Sequence, residues 1–241
     1  MKPDTICGAN AVAALFAYRP GDVLRLFYAE TQISRVGGWC ATLAAARKPY
    51  RKLDPEPLEA VAGTTHNGGI VAVARARRIP IFDPENPPRG RLLLVLDGIG
   101  NPHNLGAIAR SAAFFGVRHL LIGEGPGHAL PSDAAYRVAE GGLEALEITR
   151  TRALPAAILA LEPYYRTVAA TLSEAASPLS ELPRDRPVAL VLGAEEAGVS
   201  EGVRTACRRE VRIAARGPVQ SLNVAQAAAV LLHALASGAP T

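Results

Sequence analysis

Three polar turns in the second half of the chain hold the residues best suited to chemistry. The first runs Asp97-Gly-Ile-Gly-Asn-Pro-His-Asn104-Leu-Gly-Ala-Ile-Ala-Arg110. The second is Val191-Leu-Gly193-Ala-Glu195-Glu-Ala-Gly-Val-Ser200, and the third Arg216-Gly-Pro-Val-Gln-Ser221-Leu-Asn223. Each pairs glycine, which lets backbone approach a ligand closely, with side chains that donate and accept hydrogen bonds. Arg110 stands among Ile108, Ala109, Ala112, Ala113 and Phe114, and a charge in that setting needs a specific partner, such as a phosphate. At ~100° per residue, Asn104 and Arg110 fall on different sides of an ideal helix, so both reach one site only if Asn104 belongs to the loop. Glu195 suits the first turn of a helix, whose dipole favours an acid. Ser221 reads as the N-cap of a final helix, with Asn223 in its first turn. Each residue also has a plain structural explanation: a surface ion pair, a dipole-favoured acid, a capped helix. Their company in three similar turns favours a site.

Other signals are weaker. Gly123-Glu-Gly125-Pro-Gly127 lacks the GxGxxG spacing of a dinucleotide loop, and Pro126 removes a donor that a phosphate cradle would use. His66, beside two glycines, reads as a turn residue. Cys7, Cys40 and Cys207 are far apart and odd in number, which points to neither a disulfide framework nor a metal site, and to a reducing cytoplasm. Residues 1–90 hold 12 Lys and Arg against 8 Asp and Glu, while residues 91–241 hold 14 of each. The whole basic excess of +4 therefore sits in the first part, as an acidic partner would require. Within it, Arg47-Lys48-Pro-Tyr50-Arg51-Lys52 offers cations for phosphates and one ring to stack on a base; an exposed loop is the plain alternative.

The elements that must position these residues read as follows. Ile6–Tyr18 is a buried helix, with Ala9–Ala17 its clearest part. Val23–Tyr28 and Ile70–Ala74 are strands, and Arg35–Ala46 and Leu58–Ala62 helices. Asp83 to Gly90, with three prolines and a glycine, is a linker. Beyond it, strands at Leu92–Leu96, Leu120–Gly123, Ala145–Thr149, Thr167–Thr171, Val188–Leu192 and Glu210–Ile213 alternate with helices at Ala107–Phe115, Asp133–Glu140, Arg152–Leu161 and Val203–Arg208. The chain closes on a helix with Val224, Ala228, Leu231, Leu232 and Leu235 on one face. Apolar strands alternating with helices predict an α/β fold with a parallel sheet covered on both faces. No run approaches the ~18–20 apolar residues that span a bilayer.

Together the three turns resemble the motifs of the TrmH/SpoU family of RNA 2'-O-methyltransferases, in the SPOUT superfamily. The matches are Asn104-Leu-Gly-Ala-Ile-Ala-Arg110, Gly193-Ala-Glu195-Glu-Ala-Gly-Val-Ser200 and Ser221-Leu-Asn223-Val. Gly8-x-x-Ala-Val12 and Leu58…His66-Asn-Gly-Gly-Ile70 are similar to the small L30e-like RNA-binding domain of many members. The resemblance implies an L30e-like substrate-binding domain over 1–82, a linker over 83–90, and a SPOUT methyltransferase domain over 91–241 with a C-terminal trefoil knot. It implies S-adenosylmethionine as cofactor near Gly193, Ile213 and Leu222, and a homodimer through the C-terminal domain. It also implies a catalytic set of Arg110, Asn104, Glu195, Ser221 and Asn223, acting on a ribose of rRNA in preference to tRNA. Arg47, Lys48, Tyr50, Arg51 and Lys52 are the RNA-contacting candidates. Ala194 replaces a usual Asn, Ala214-Ala215 a frequent Pro-Met pair, and Ala225 a common Ser; these changes bear on pocket shape and cofactor affinity. A protein that keeps the fold and binds RNA without turnover is the alternative, disfavoured by the intact catalytic set.

Overall fold

The computed structural model describes residues 2–237. It is an α/β structure with two sheets, one of four strands and one of seven. The small sheet contains β1 (Asp4–Cys7), β2 (Val23–Tyr28), β3 (Tyr50–Lys52) and β4 (Ile70–Ala74), in the order β1-β4-β2-β3. It is accompanied by α1 (Ala9–Tyr18), α2 (Ile33–Ala45) and α3 (Pro55–Ala62). The single helix expected over Ile6–Tyr18 is in fact a strand and a helix. Gly8 separates them at φ 93°, a left-handed conformation that only glycine adopts freely. The cationic run is not a loop either: its last three residues form β3, an edge strand paired in parallel with β2.

The large sheet contains β5 (Leu92–Asp97), β6 (His119–Gly123), β7 (Glu147–Thr151), β8 (Arg166–Ala170), β9 (Ser177–Pro178), β10 (Val188–Gly193) and β11 (Arg209–Arg212). Its order is β7-β6-β5-β10-β8-β11-β9, and every pairing is parallel. The helices are α4 (Pro102–Phe114), α5 (Asp133–Ala139), α6 (Gly142–Ala145), α7 (Leu154–Leu161), α8 (Glu201–Ala206) and α9 (Val224–Ala236). Because side chains alternate along a strand, Leu94 and Leu96 of β5 join the core beneath α4, α5 and α9. Leu93 and Val95 join the opposite core beneath α7 and α8. Burial on both faces explains why β5 and β10 read as unbroken apolar runs.

The strand expected at Ala145–Thr149 begins later. Gly142–Ala145 is a helical turn, in which Glu144 is buried against Arg19, and β7 starts at Glu147. The first apolar cluster runs on into the small sheet through Ile6, Val12 and Leu15, so the two sheets share a core. Thr5 N–H donates to Asp133 Oδ1 at 2.9 Å, and Asn10 Nδ2 to Glu140 Oε2 at 2.7 Å, across the same seam.

Candidate active site

A cleft of about 660 Å³ opens at the carboxyl ends of β8, β10 and β11. Ligands of open parallel sheets bind outside strand carboxyl ends, where neighbouring strands lead away in opposite directions. The adjacent β5 and β10 meet that condition, since the chain leaves β5 for β6 on one side and β10 for β11 on the other. The volume falls in the ~300–1,000 Å³ range of small-molecule sites. Gly193, Glu195, Ile213, Ser221 and Leu222 all line it.

Gly193 is required by geometry. A Cβ there would lie 2.1 Å from the Gly198 carbonyl carbon and the Val199 nitrogen, because residues 193–199 double back on themselves. Gly198 N–H donates to Ala194 O at 2.8 Å to close that turn, with Gly198 at φ 67°. Asp97, at the end of β5 and 6% exposed, braces the turn from below. Its Oδ2 accepts from Ser200 N–H at 2.7 Å. Sequence reading gave Asp97 no role. The available signal was an acid ending an otherwise apolar strand.

At the rim of the cleft three side chains from three turns converge. Asn223 Nδ2 donates to Asn104 Oδ1 at 3.2 Å and also to Glu195 Oε1. Glu195 Oε1 accepts from Val224 N–H as well, at 3.3 Å, which sets a carboxylate at the N-terminus of α9. Asn223 Oδ1 accepts from Ala225 N–H at 2.9 Å, so Asn223, and not Ser221, is the N-cap. Ser221 lies two residues earlier on the exposed loop, because the chain becomes helical only at Val224.

Asn104 does not belong to a loop, contrary to the expectation. Asn101 caps α4 by accepting from His103 N–H at 2.8 Å, and Pro102 occupies the first helical position, so Asn104 is the third residue of the helix. It reaches the junction because the other two turns come to the helix N-terminus. Arg110 is six residues on, ~9 Å along the axis and ~120° around it. It is exposed, and among the described residues it has no hydrogen-bond or ion-pair partner. The apolar setting read from sequence is one-sided: Ile108, Ala109 and Ala112 face the core, while Arg110 shares the outer face with Phe114, 82% exposed. The structure thus brings Asn104, Glu195 and Asn223 together and leaves Arg110 free to meet something outside the chain.

The glycines at 123–127 make a seat and not a phosphate loop. A Cβ on Gly123 would come 2.1 Å from Nε2 of His128, so its absence admits that ring. His128 Nε2 lies 3.8 Å from Asp97 Oδ1. Cys207, between α8 and β11, has its thiol pushed up to about 12 by burial, with Glu210, Asp97 and Glu162 adding to the effect. A thiol so held is no nucleophile at neutral pH. Among the described residues no three His, Cys, Asp or Glu side chains group to hold a metal ion, and no helix is long and apolar enough to cross a membrane. In the cationic run, Lys52 pairs with Glu30 and Lys48 Nζ donates to Gly21 O at 2.8 Å. Arg47, Tyr50 and Arg51 remain exposed.

Residues 91–233 match the SpoU rRNA methylase family, and residues 5–80 match the RNA 2'-O ribose methyltransferase substrate-binding family. A tRNA/rRNA methyltransferase of Haemophilus influenzae, itself uncharacterized, is 31% identical over 94% of this chain, which spans 64% of that relative's length. A 23S rRNA (guanosine-2'-O-)-methyltransferase of a Burkholderia species is 33% identical, over 93% of this chain and 92% of its own. The AdoMet-bound rRNA methyltransferase from Sinorhizobium meliloti has the same fold. Its TM-score is 0.81 over 100% of this chain and 89% of the other, at 20% identity.

Proposed function

The chain belongs to the SpoU rRNA methylase family, and from that premise we propose that it transfers a methyl group from S-adenosylmethionine to a ribose 2'-hydroxyl of structured RNA, ribosomal in preference to transfer RNA. The observation that carries this reading is the junction of Asn104, Glu195 and Asn223 at the rim of the cleft; further along α4, Arg110 is exposed with no partner among the described residues. The cleft suits the cofactor. It offers backbone from 193–199 and 213–222, apolar contacts from Leu172, Ile213 and Leu222, and the carboxylate of Glu195 for a cationic ligand. Ala214 and Ala215, where Pro and Met are frequent in the family, leave its outer wall small.

S-adenosylmethionine supplies a methyl already activated as a sulfonium, so this chain's residues mainly orient groups and manage one proton. Glu195 and Asn223 fix the amide of Asn104 toward the cleft mouth. Ser221 offers a hydroxyl on the cleft wall. Arg110 carries a planar fork of N–H donors and no acceptor, which suits it to hold the phosphate beside the reacting ribose better than to act as a base.

The same reading treats 1–82 as the L30e-like RNA-binding domain, 83–90 as a linker and 91–241 as the methyltransferase domain, of which the last four residues lie outside those described. It includes the trefoil knot. In support, β11 lies two strands beyond β10, yet α9 returns to pack on α4 and β10. A homodimer is included as well: Phe114 of α4 and Val230 of α9 are 82% and 45% exposed on two packed helices, and a second copy would cover them.

Calorimetry with S-adenosylmethionine, S-adenosylhomocysteine and NADH, followed by methyl transfer to protein-free ribosomal RNA, tests the proposal. The first two ligands should bind, and the RNA should be labelled. Binding of NADH with no response to S-adenosylhomocysteine would overturn the cofactor assignment. Cofactor binding without RNA labelling would leave a protein that binds RNA and has no turnover.

A further inference from the structure

A second concentration of arginines lies away from both the cationic run and the active site. Two adjoining clefts, of about 830 and 480 Å³, lie at the amino-terminal ends of strands in the large sheet and share Gly116 and Arg118. Among the described residues eight arginines and four carboxylates line them. The carboxylates are largely answered from within. Glu144 is bound by Arg19 at 2.7 Å and Asp185 by Arg166 at 2.9 Å.

Several arginines are not answered in return. Arg184 Nη1 donates to Ala234 O at 2.6 Å, and Arg186 Nη2 to the carbonyls of Glu162 and Pro163 at 3.0 and 3.1 Å. A carbonyl satisfies N–H geometry and leaves the net charge in place. Arg78 is exposed with no partner among the described residues. Arg118 lies 3.8 Å from Glu147, with both side chains mostly exposed, an arrangement of small energetic worth. Tyr18, 61% exposed, adds a ring at one end of the surface.

We propose that these clefts form one continuous contact surface for the phosphate backbone of RNA, reaching from Arg78 through Arg118 to Arg184 and Arg186. The inference rests on the RNA-methylating function proposed above and says where the substrate is held outside the reacting nucleotide. A six-residue strand at ~3.3 Å per residue puts this surface ~20 Å from the catalytic cleft, so it contacts nucleotides remote from the methylated one. The joint lining by both sheets explains why a fixed orientation between them is useful, since Arg78 follows β4 and Arg118 precedes β6.

The test compares the full chain with Arg78→Gln/Arg118→Gln and, separately, Arg47→Gln/Arg51→Gln, in binding a protein-free 23S rRNA transcript across a salt series. Each lost phosphate contact lowers the log–log salt slope by ~0.7–0.9. The cleft variant should therefore lose ~1.4–1.8 of slope, with melting temperature and S-adenosylhomocysteine affinity unchanged. An unaltered slope in that variant, beside salt-dependent binding by the parent chain, would overturn the inference and leave the functional reading standing. A parent chain that shows no salt-dependent RNA binding would overturn both.

Discussion

Between the two sheets Asp4, Arg19, Arg77, Tyr136 and Glu144 form a closed cluster, whereas at the rim of the cleft Asn104, Glu195 and Asn223 form an open one. In the closed cluster Arg19 grips both oxygens of Glu144, at 2.7 and 2.9 Å, and donates to Asp4 Oδ2 at 3.2 Å. Tyr136 O–H donates to the same Asp4 oxygen, and Arg77 donates to the carbonyls of Leu143 and Leu146. The Glu144 side chain is 1% exposed. Burial, helped by Asp4 and Glu144, lifts the Tyr136 phenol above its usual range, so it stays protonated as a donor. The open cluster has exposed members, and further along α4 the Arg110 guanidinium has no partner among the described residues. One arrangement spends its hydrogen-bonding capacity on holding the sheets together, and the other keeps capacity for a ligand. Titratable groups in a network therefore need to be asked what they have left over, not only what they touch.

The sharpest way to break this contrast is Glu144→Ala. Removing one partner of a buried ion pair strands the other, at a cost of about 3–5 kcal/mol. For a chain of this size that lowers the thermal midpoint by roughly 6–20 °C. Differential scanning calorimetry should show the drop; a shift of a degree or two would mean the seam is not held by this cluster.

Arg110→Ala should do the reverse. Loss of one preorganised polar group lowers the single-turnover rate ~10²–10³-fold, while stability and cofactor affinity hold. Arg110→Lys should rescue little, because a point charge lacks the planar fork. If the Ala variant lost thermal stability and cofactor binding together, Arg110 would belong with the closed cluster instead.

Asn223→Ala lies between the two regimes. It removes a helix cap worth about 1 kcal/mol and also unties Asn104 from Glu195. A small fall in melting temperature should accompany a fall in rate, and a change in stability alone would make the junction structural.

The smallest effect concerns the thiols. Burial lifts Cys7 to about 11 and Cys207 to about 12. A raised folded pKa favours the protonated native state, and that contribution is lost only as pH climbs through these values. Iodoacetamide should thus modify both slowly at pH 7 and faster only at strongly alkaline pH; rapid labelling at neutral pH would show that either region opens.

Much of this arrangement was legible in the sequence. Leu92–Leu96 and Val188–Leu192 announce buried parallel strands because both their faces are covered. Two of the three turns singled out from glycine and polar spacing line the cleft, and the first reaches its rim through Asn104. Local capping was read less well, although Asn101-Pro102 carried a cap and an N1 proline that start α4 five residues before the expected Ala107. Asn223 displaced Ser221 as cap because the chain becomes helical only at Val224, two residues later than expected. Glu144 went unnoticed just before the expected strand because its ion pair is with Arg19, 125 residues away in sequence. Asp97 and His128 meet only in three dimensions, so no spacing could reveal them.

The central claim is that this chain methylates a ribose hydroxyl, and the chemical position of the methyl group tests it most directly. Ribosomal RNA incubated with the protein and labelled S-adenosylmethionine should be digested with alkali and its products separated. A 2'-O-methyl group blocks cleavage of the adjacent phosphodiester, so the account predicts label in an alkali-resistant dinucleotide. Label in mononucleotides would place the methyl on a base and contradict it.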